Sequence, residues 1–288
     1  MSAKQGQEPV AGTLYLVGTP IGHLGDLSPR AKAILASVDV IACEDTRHSG
    51  QLLSSLNAAG QRLSFHQHNT RTRLPQLLAL LDEERSLAVI SDAGLPGISD
   101  PGEELAAAAR SAGHPVICVP GPCAATTALV SSGLPSGRFC FEGFLPAKGR
   151  ERNARLELIA REPRTSVLYE APHRILQLLK ELDTLCGGDR AVQIARELTK
   201  RHEEQIGPDI AAALRHFSHH RPQGEFTVIL GGAPATPIEA PTEADLLERL
   251  QQRLAAGLSA RDAAKDLAKE TGLSKRELYG LIHQQGSD

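Results

Sequence analysis

Short apolar runs alternate with helix-period segments from Thr13 to Val119. The runs are rich in β-branched and aliphatic residues, and the segments between them, such as 29–37 and 50–59, have the apolar spacing of helices. Strands that alternate with helices in this way are typical of a mostly parallel sheet, because each helix returns the chain to the same edge. The pattern therefore predicts an α/β sheet with the strands TLYLVG, VDVIAC, RLSFH, SLAVIS and PVICVP.

A second series of the same kind follows. Its predicted helices cover 153–161, 173–185 and 209–217, and its predicted strands are RFCFEGF, SVLYEA, AVQIARE and EFTVILGG. A chain of 288 residues is long enough for two modest domains, each with its own core. We expect two α/β domains, at residues 12–120 and 121–232.

The last part of the chain has a different character. Residues 233–242, APATPIEAPT, carry three prolines without apolar periodicity, which indicates a linker. Beyond it, 243–288 is predicted to be a small C-terminal helical segment resembling a helix-turn-helix, with helices at 243–255, 260–269 and 275–283. Seven Lys and Arg against eight Asp and Glu make it a weak candidate for reading nucleic acid.

Composition limits the classes of function. The formal net charge of −3 is unusual for a nucleic-acid-binding protein, so any such surface must be local. Five cysteines without a C-x-x-C pair suggest reduced thiols and a cytoplasmic location. No apolar run is long enough for a membrane span, and the first residues lack the apolar core of a signal peptide.

One histidine cluster has spacing that could suggest a metal. His216, His219 and His220 lie at i, i+3 and i+4 of a predicted helix, without a neighbouring Cys or acidic ligand pattern. A solvated helix end explains them, and we predict no metal.

Three glycine- and proline-rich loops follow predicted strands: GTPIGHLGD at 18–26, SDAGLPGISDPG at 91–102 and PGPCAATTAL at 120–129. Ligands of open α/β sheets bind outside the carboxyl ends of the strands, where such loops converge. The first loop lacks the G-x-G-x-x-G spacing, and the chain contains no Gly-Lys pair for a P-loop. Glycines allow close backbone approach, which suits a small zwitterionic cofactor better than a dinucleotide or nucleoside triphosphate.

Six segments together resemble one family. GTPIGHLGDLSPRA, ACEDTRHS, SDAGLPGISDPG, VPGPCAATTAL, GFLPAKGRER and LYEAPHRI are similar, in this order, to the motifs of the ribosomal RNA small subunit methyltransferase I group of tetrapyrrole methylases. The resemblance covers roughly residues 12 to 231. It implies that S-adenosylmethionine binds in a cleft between the two α/β domains of the chain. It also implies that the protein is a homodimer. The implied reaction is 2'-O-methylation of a cytidine in the decoding region of small-subunit rRNA, either free or in the assembled 30S subunit.

The resemblance also implies which residues bind the cofactor. The 91–102 loop would line the cleft, the first and third loops would close it, and a tyrosine would reach it from the second domain. The cofactor residues so implied are Thr19, Pro20, Gly94, Leu95, Pro96, Ile98, Asp100, Pro120, Gly121, Cys123, Ala124 and Tyr169.

Methylation of a ribose hydroxyl calls for a general base, or for a cation that stabilises the developing alkoxide. Our first choice is Glu197 with Lys200, because ARELTKRHEE follows a predicted strand of the second domain. Glu170 with His173, and Asp45 with Arg47, are alternatives. For each of these residues, an ion pair or a helix cap inside the fold is an equally simple explanation.

Two basic stretches are the predicted RNA contacts. No acidic residue occurs from Thr46 to Leu81, and FLPAKGRER adds a second group of cations. Such side chains would contact phosphates rather than bases, and scattered solubilising charge is the alternative explanation. The predicted RNA-binding residues are Arg47, Arg71, Arg73, Lys148, Arg150 and Arg152, with Arg62 in the first stretch.

Two other functions fit the same sequence. A methyltransferase could act on a tetrapyrrole or another small molecule in the same cleft, and a non-catalytic RNA-binding module could use these loops only structurally. Cofactor binding separates the second alternative from the two enzymes.

Overall fold

The computed structural model describes residues 8–234 and 242–284. The chain forms two compact units, one ending at Ala233 and one beginning at Pro234. The first unit contains two five-stranded sheets. The predicted division of this unit into domains at residue 120 stays a prediction, as does the boundary of a separate segment at 243.

The first sheet is parallel throughout, as the alternating pattern predicted. Its strand order is β3-β2-β4-β1-β5, so β4 lies at its centre. The strands β2 and β4 are buried along their whole length, which explains their continuous apolar sequences. The elements are β1 Leu14–Val17, α1 Pro29–Ser37, β2 Val40–Cys43, α2 His48–Ser55, β3 Gln61–Ser64, α3 Thr70–Asp82, β4 Leu87–Ile90, α4 Glu103–Ser111 and β5 Val116–Val119.

The predicted helix at 50–59 is shorter than expected. Helix α2 stops at Ser55, and Asn57 follows with a φ of 54°, in the left-handed region that ends helices. The chain then turns through Gly60 into β3, so the last residues of the predicted helix form the connection instead.

The second sheet is mixed, with the order β6-β7-β10-β8-β9. Only β6 and β7 are parallel, and the other neighbours are antiparallel. The four predicted strands form, together with the short β9, which sequence analysis did not anticipate. The elements are α5 Ala124–Ser131, β6 Phe139–Phe144, α6 Arg150–Arg161, β7 Thr165–Glu170, α7 Ile175–Cys186, β8 Val192–Arg196, β9 Glu204–Ile206, α8 Ile210–His219 and β10 Phe226–Leu230.

Strand alternation divides the second sheet into two faces. Leu168 and Val228 belong to the large core formed with helices α6, α7 and α8. Val167 and Ile229 belong to a smaller core with α5, and Ile21 of the first loop packs into it. The face that carries α5 is therefore the one that meets the loops of the first sheet.

A buried ionic network lies between β7 and helices α6 and α7. Arg152 is only 1% exposed, and its guanidinium donates to Glu181 at 2.6 Å and to the Pro146 carbonyl at 2.9 Å. It also lies 3.9 Å from Glu170, whose other oxygen pairs with Arg174 at 3.1 Å. The prediction that Arg152 contacts RNA is therefore wrong, because its cation is enclosed and already paired.

The described residues of the second unit, 242–284, form three short helices, as predicted. They are α9 Glu243–Ala255, α10 Ala260–Thr271 and α11 Lys275–Gln284, with a small core that includes Leu250 and Leu267. Thr242 and Asp245 form a capping box on α9, and Ser259 caps α10. Most of the predicted linker at 233–242 lies outside the described residues.

Within 8–234 and 242–284, none of the helices combines the length and the apolar character needed to cross a lipid bilayer.

We expect Arg152→Ala to lower the free energy of unfolding by about 3–5 kcal/mol, because it leaves the buried Glu170 carboxylate without one of its two cations. Arg150→Ala is the matched control, since Arg150 begins the same helix and is exposed; it should change stability by less than about 0.5 kcal/mol. Urea unfolding of both variants tests this. Equal stability of the two variants would contradict the structural role of Arg152.

Candidate active site

The first and third loops meet through their backbones at the carboxyl edge of the parallel sheet. Gly18 donates its N–H to the Val119 carbonyl at 3.1 Å, which continues the pairing of β1 with β5. A Cβ on Gly18 would lie 2.7 Å from the Gly121 Cα, and a Cβ on Gly121 would lie 2.8 Å from the Gly18 backbone. Both positions therefore require glycine.

The second loop bends back on itself after β4. Gly94, Gly97 and Gly102 have φ values of +90°, +87° and +146°, which residues with a side chain rarely adopt. The Gly94 carbonyl accepts the Thr19 N–H at 2.9 Å, and the Thr19 and Ser91 hydroxyls lie 3.3 Å from it. All three loops are therefore joined into one rigid edge.

A cavity of about 360 Å³ lies between this edge and the second sheet. Its size falls in the usual range for small-molecule sites. Seven of the predicted cofactor residues line it: Gly94, Leu95, Ile98, Asp100, Cys123, Ala124 and Tyr169.

A second cavity of about 400 Å³ adjoins the first. The two share the lining residues Ile21, Asp92, Ala93 and Glu225. Thr19 and Pro20 line this second cavity, as does Lys200. Pro96, Pro120 and Gly121 are not among the described residues that line either cavity. Gly121 instead packs against the backbone of Gly18, where the first and third loops meet.

The second sheet supplies a wall that sequence analysis largely missed. Tyr169 contacts Phe141 edge-on and Phe144 with tilted rings, at centroid distances of 5.2 and 5.5 Å. Its hydroxyl accepts the Ala125 N–H at the start of α5. Burial raises the pKa of Tyr169, so the ring stays neutral. Thr227 and Glu225 line the cavity from β10 and the residue before it. Side chains alternate between the two sheet faces along the predicted strand EFTVILGG, so the sequence could have placed Thr227 on the face toward the cavity.

The cavity has an acidic side. Burial raises the pKa of Asp100 to about 6, and the neighbouring carboxylates of Glu44 and Asp92 act in the same direction against a hydrogen bond from Ser91. Asp92 also accepts the Asp45 N–H at 3.3 Å. Such a site favours a ligand that carries positive charge.

Glu197 and Lys200 pair with each other, and their catalytic role stays a prediction. Lys200 Nζ lies 3.0 Å from Glu197 Oε1 and 3.0 Å from Glu225 Oε2, and Glu197 also accepts the Glu225 N–H. Burial would raise the pKa of Glu197, but the hydrogen bonds from Lys200 and the Glu225 N–H outweigh it and lower this pKa. Lys200 therefore faces the second cavity, while Glu197 holds it in place.

Comparison with known proteins identifies the family. Residues 13–213 match the family Tetrapyrrole (Corrin/Porphyrin) Methylases, and residues 240–286 match the RsmI C-terminal HTH domain. A ribosomal RNA small subunit methyltransferase I from Synechocystis is 47% identical over 279 residues, covering 96% of this chain and 99% of the relative. This chain belongs to the ribosomal RNA small subunit methyltransferase I family.

Other relatives of this methyltransferase agree. The protein of the same name from Escherichia coli O157:H7 is 43% identical, covering 85% of this chain and 86% of its own. Among solved structures, the methyltransferase CobJ has a TM-score of 0.61 at 20% identity, covering 77% of this chain and 95% of its own. Uroporphyrin-III-C-methyltransferase from Thermus thermophilus has a TM-score of 0.55 at 23% identity, covering 76% of this chain and 94% of its own. These structures confirm the fold.

Two of the alternative catalytic residues, Glu170 and Asp45, make contacts within the fold of this methyltransferase, and a catalytic role for any of the alternatives stays a prediction. Glu170 lines the first cavity, but it follows Leu168 on the face of β7 toward α6 and α7, where its carboxylate pairs with Arg152 and Arg174. Asp45 accepts the N–H of Arg47 at 2.7 Å and of His48 at 3.4 Å, as a helix cap does. His173 is exposed and is next to Arg174 in the turn before α7.

The predicted RNA-binding cations of the methyltransferase differ in exposure. Arg47, Arg71, Lys148 and Arg150 are exposed, and Arg73 is half-buried with a hydrogen bond to Gln76. In the histidine cluster, the His216 ring stacks on His220 at 4.4 Å and lies 3.7 Å from Glu204. The absence of a metal stays a prediction.

We expect Asp100→Asn to change how the stability of the methyltransferase depends on pH. The folded protein holds the Asp100 proton more tightly than an unfolded chain with a pKa of 3.8, so ionisation costs stability between about pH 4 and pH 6. The variant cannot ionise, and its free energy of unfolding relative to wild type should rise through this window and then level off.

Asp39→Asn serves as the control, because hydrogen bonds from Ser86 lower the pKa of Asp39. Its relative stability should be lowest above about pH 4 and recover below that value. Urea unfolding across this pH range measures both variants. A flat difference for Asp100→Asn would show that Asp100 is ionised without penalty.

Proposed function

We propose that this chain transfers a methyl group from S-adenosylmethionine to the 2'-hydroxyl of a cytidine ribose in the decoding region of small-subunit rRNA. The observation that carries the proposal is the 47% identity to a ribosomal RNA small subunit methyltransferase I across nearly the whole of both chains. The rigid three-loop edge and the cavity beside it give that activity a site.

The residues of the first cavity fit this cofactor. S-adenosylmethionine supplies a methyl group on a cationic sulfonium, and the acidic side formed by Asp92 and Asp100 complements that charge. Bare backbone at Gly94 and apolar side chains such as Leu95 and Ile98 suit the nucleoside part. The other cofactor residues implied by the resemblance belong to the same proposal.

The second cavity suits the nucleotide that is methylated. Lys200 lines it, and its ammonium can stabilise negative charge that develops on the ribose oxygen as the proton leaves. Glu197 positions Lys200 through the 3.0 Å ion pair. Glu225 lines both cavities and has a largely exposed carboxylate 3.0 Å from Lys200 Nζ, so it can accept the proton from the 2'-hydroxyl.

The substrate contacts beyond the site are mainly electrostatic in this proposal. Exposed cations would bind phosphates and set the register of the RNA. They are Arg47, Arg71, Lys148 and Arg150, together with the half-buried Arg73 close to Arg71. The enzyme would act in the cytoplasm as a homodimer, on free rRNA or on the assembled 30S subunit. The family relationship supports these last points, and sedimentation together with methylation assays on both substrates would test them.

Replacing Gly94 with a bulky residue should strongly weaken cofactor binding. Gly94→Val adds a side chain whose Cβ lies 3.3 Å from Ile21 Cγ2 and 3.4 Å from the Pro122 carbonyl, so its methyl groups must displace the cavity wall. We expect binding of S-adenosylhomocysteine, measured by calorimetry, to weaken more than tenfold.

Gly113→Val is the matched control for this experiment. Gly113 has nearly the same φ, +89° against +90°, but a Cβ there meets nothing within 4 Å. Both variants carry similar backbone strain, and only the first should lose binding. Equal affinities would remove Gly94 from the site, and no binding by the wild type would favour a non-catalytic RNA-binding module.

Lys200→Met should slow methyl transfer by about 10²-fold or more while leaving cofactor and RNA affinity nearly unchanged, because the interaction develops only in the transition state. Glu197→Gln should slow transfer less, since it loosens Lys200 without removing its charge. Single-turnover methylation of rRNA at saturating cofactor measures both. Near-wild-type rates with a modest loss of thermal stability would show that the ion pair is only structural.

A further inference from the structure

Half of the phenylalanines in this protein lie on one exposed strand. The chain has six, and Phe65, Phe217 and Phe226 are at most 6% exposed. Phe139, Phe141 and Phe144 of β6 are 39%, 37% and 52% exposed. Large apolar side chains grouped on a surface in this way usually mark a binding site. We refer to these three residues as the aromatic row.

A β-bulge places the three rings on one face of the sheet. In a regular strand, Phe144 would point away from Phe139 and Phe141, because side chains alternate. The pairing of β6 with β7 shifts register between Phe141 and Gly143, and Gly143 has a φ of +60°. The extra residue turns Phe144 back to the face of Phe141, and such re-aiming is a common role of bulges.

Ring contacts confirm that this face is the one toward the cavity. Phe141 and Phe144 both pack against Tyr169, with ring centroids 5.2 and 5.5 Å from it. Tyr169 is anchored by its hydrogen bond from the Ala125 N–H. Phe144 and Tyr169 line the first cavity. The aromatic row therefore forms a continuous apolar surface on the edge strand β6, and it reaches the cavity at Phe144.

Cations border the aromatic row. Arg138 directly precedes it, and Lys148 and Arg150 follow it in the loop and first turn after β6; all three are exposed. The one acidic residue within β6, Glu142, is paired with Arg155 at 2.9 Å. An isologous contact between two copies, centred on the row, would bring the same cations of both copies together, which is unfavourable.

We propose that the aromatic row stacks the unpaired bases of single-stranded RNA beside the methylated nucleotide, while the bordering cations bind its phosphates. The inference rests on the proposed function and adds the surface by which the RNA reaches the cavity. Aromatic side chains on an open sheet face stack bases in other RNA-binding proteins, and this contact tolerates different sequences because every base has a π face.

The test measures binding of a short fluorescein-labelled single-stranded RNA by anisotropy as salt is varied. Phe139→Ala, Phe141→Ala and Phe144→Ala should each weaken binding, by roughly 5- to 150-fold where the ring stacks one base. The slope of log affinity against log salt should stay unchanged. Lys148→Ala with Arg150→Ala should instead make that slope shallower, by about 0.7 for each lost phosphate contact.

Three controls separate stacking from other effects. Phe141→Trp keeps an aromatic face and should retain binding, and Leu158→Ala removes an exposed apolar side chain, 71% exposed, from α6 and should not matter. A duplex of the same sequence, whose bases are already stacked, should bind wild type and Phe variants alike. S-adenosylhomocysteine affinity should stay unchanged in Phe139→Ala, since Phe139 is not among the described residues that line the first cavity. Urea unfolding of each Phe→Ala variant checks that it is folded under the conditions of the binding assay.

Two results would overturn the inference. RNA binding by the Phe→Ala variants equal to wild type would show that the row does not contact RNA. A change in the sedimenting mass of the variants would show that it is an interface between copies. Methylation of rRNA by the wild type, assayed in parallel, tests the proposed function separately, since that function can stand when the aromatic row plays no part in it.

Discussion

The backbone contact between Gly18 and Gly121 is the constraint on which the candidate active site depends. No side chain fits between these loops, since a Cβ at either position would lie within 2.8 Å of the other backbone. The contact brings the chain after β1 and the chain after β5 together, and the Thr19 N–H then reaches the Gly94 carbonyl. The loop after β4 is fixed as a result, and its positive-φ glycines leave bare backbone on the cavity wall.

Charge is separated within the first unit although the whole chain carries a net charge of only −3. Asp92 and Asp100 line the cavity, whereas Lys148 and Arg150 are exposed on the loop and helix that follow β6. This arrangement suits an enzyme whose methyl donor is cationic and whose proposed substrate is a polyanion. Salt screens exposed charges beyond a Debye length of about 10 Å, so the acidic cavity wall does not cancel the basic surface.

Strand alternation decides which polar residues can take part in chemistry. Tyr169 and Glu170 are neighbours in sequence and both line the first cavity, yet the Tyr169 ring packs on the cavity side of β7 while the Glu170 carboxylate pairs with Arg152 and Arg174 on the opposite side. The bulge at Gly143 has the reverse effect, since it returns Phe144 to the face of Phe141. The second sheet thereby supplies aromatic rings and Thr227 to the site, and keeps its ion pairs in its core.

The sequence by itself determined the two series of strands, the helices of the second unit and the three loops of the site, because periodicity and glycine spacing are local properties. It also identified seven residues of the first cavity through motifs. Only the tertiary structure showed that Arg152 is enclosed and that Glu197 forms an ion pair with Lys200. Only it showed, too, that Glu225 and Phe144 line the cavity. These features depend on partners distant in sequence and on a bulge that reverses a strand face, and neither is visible in the order of residues.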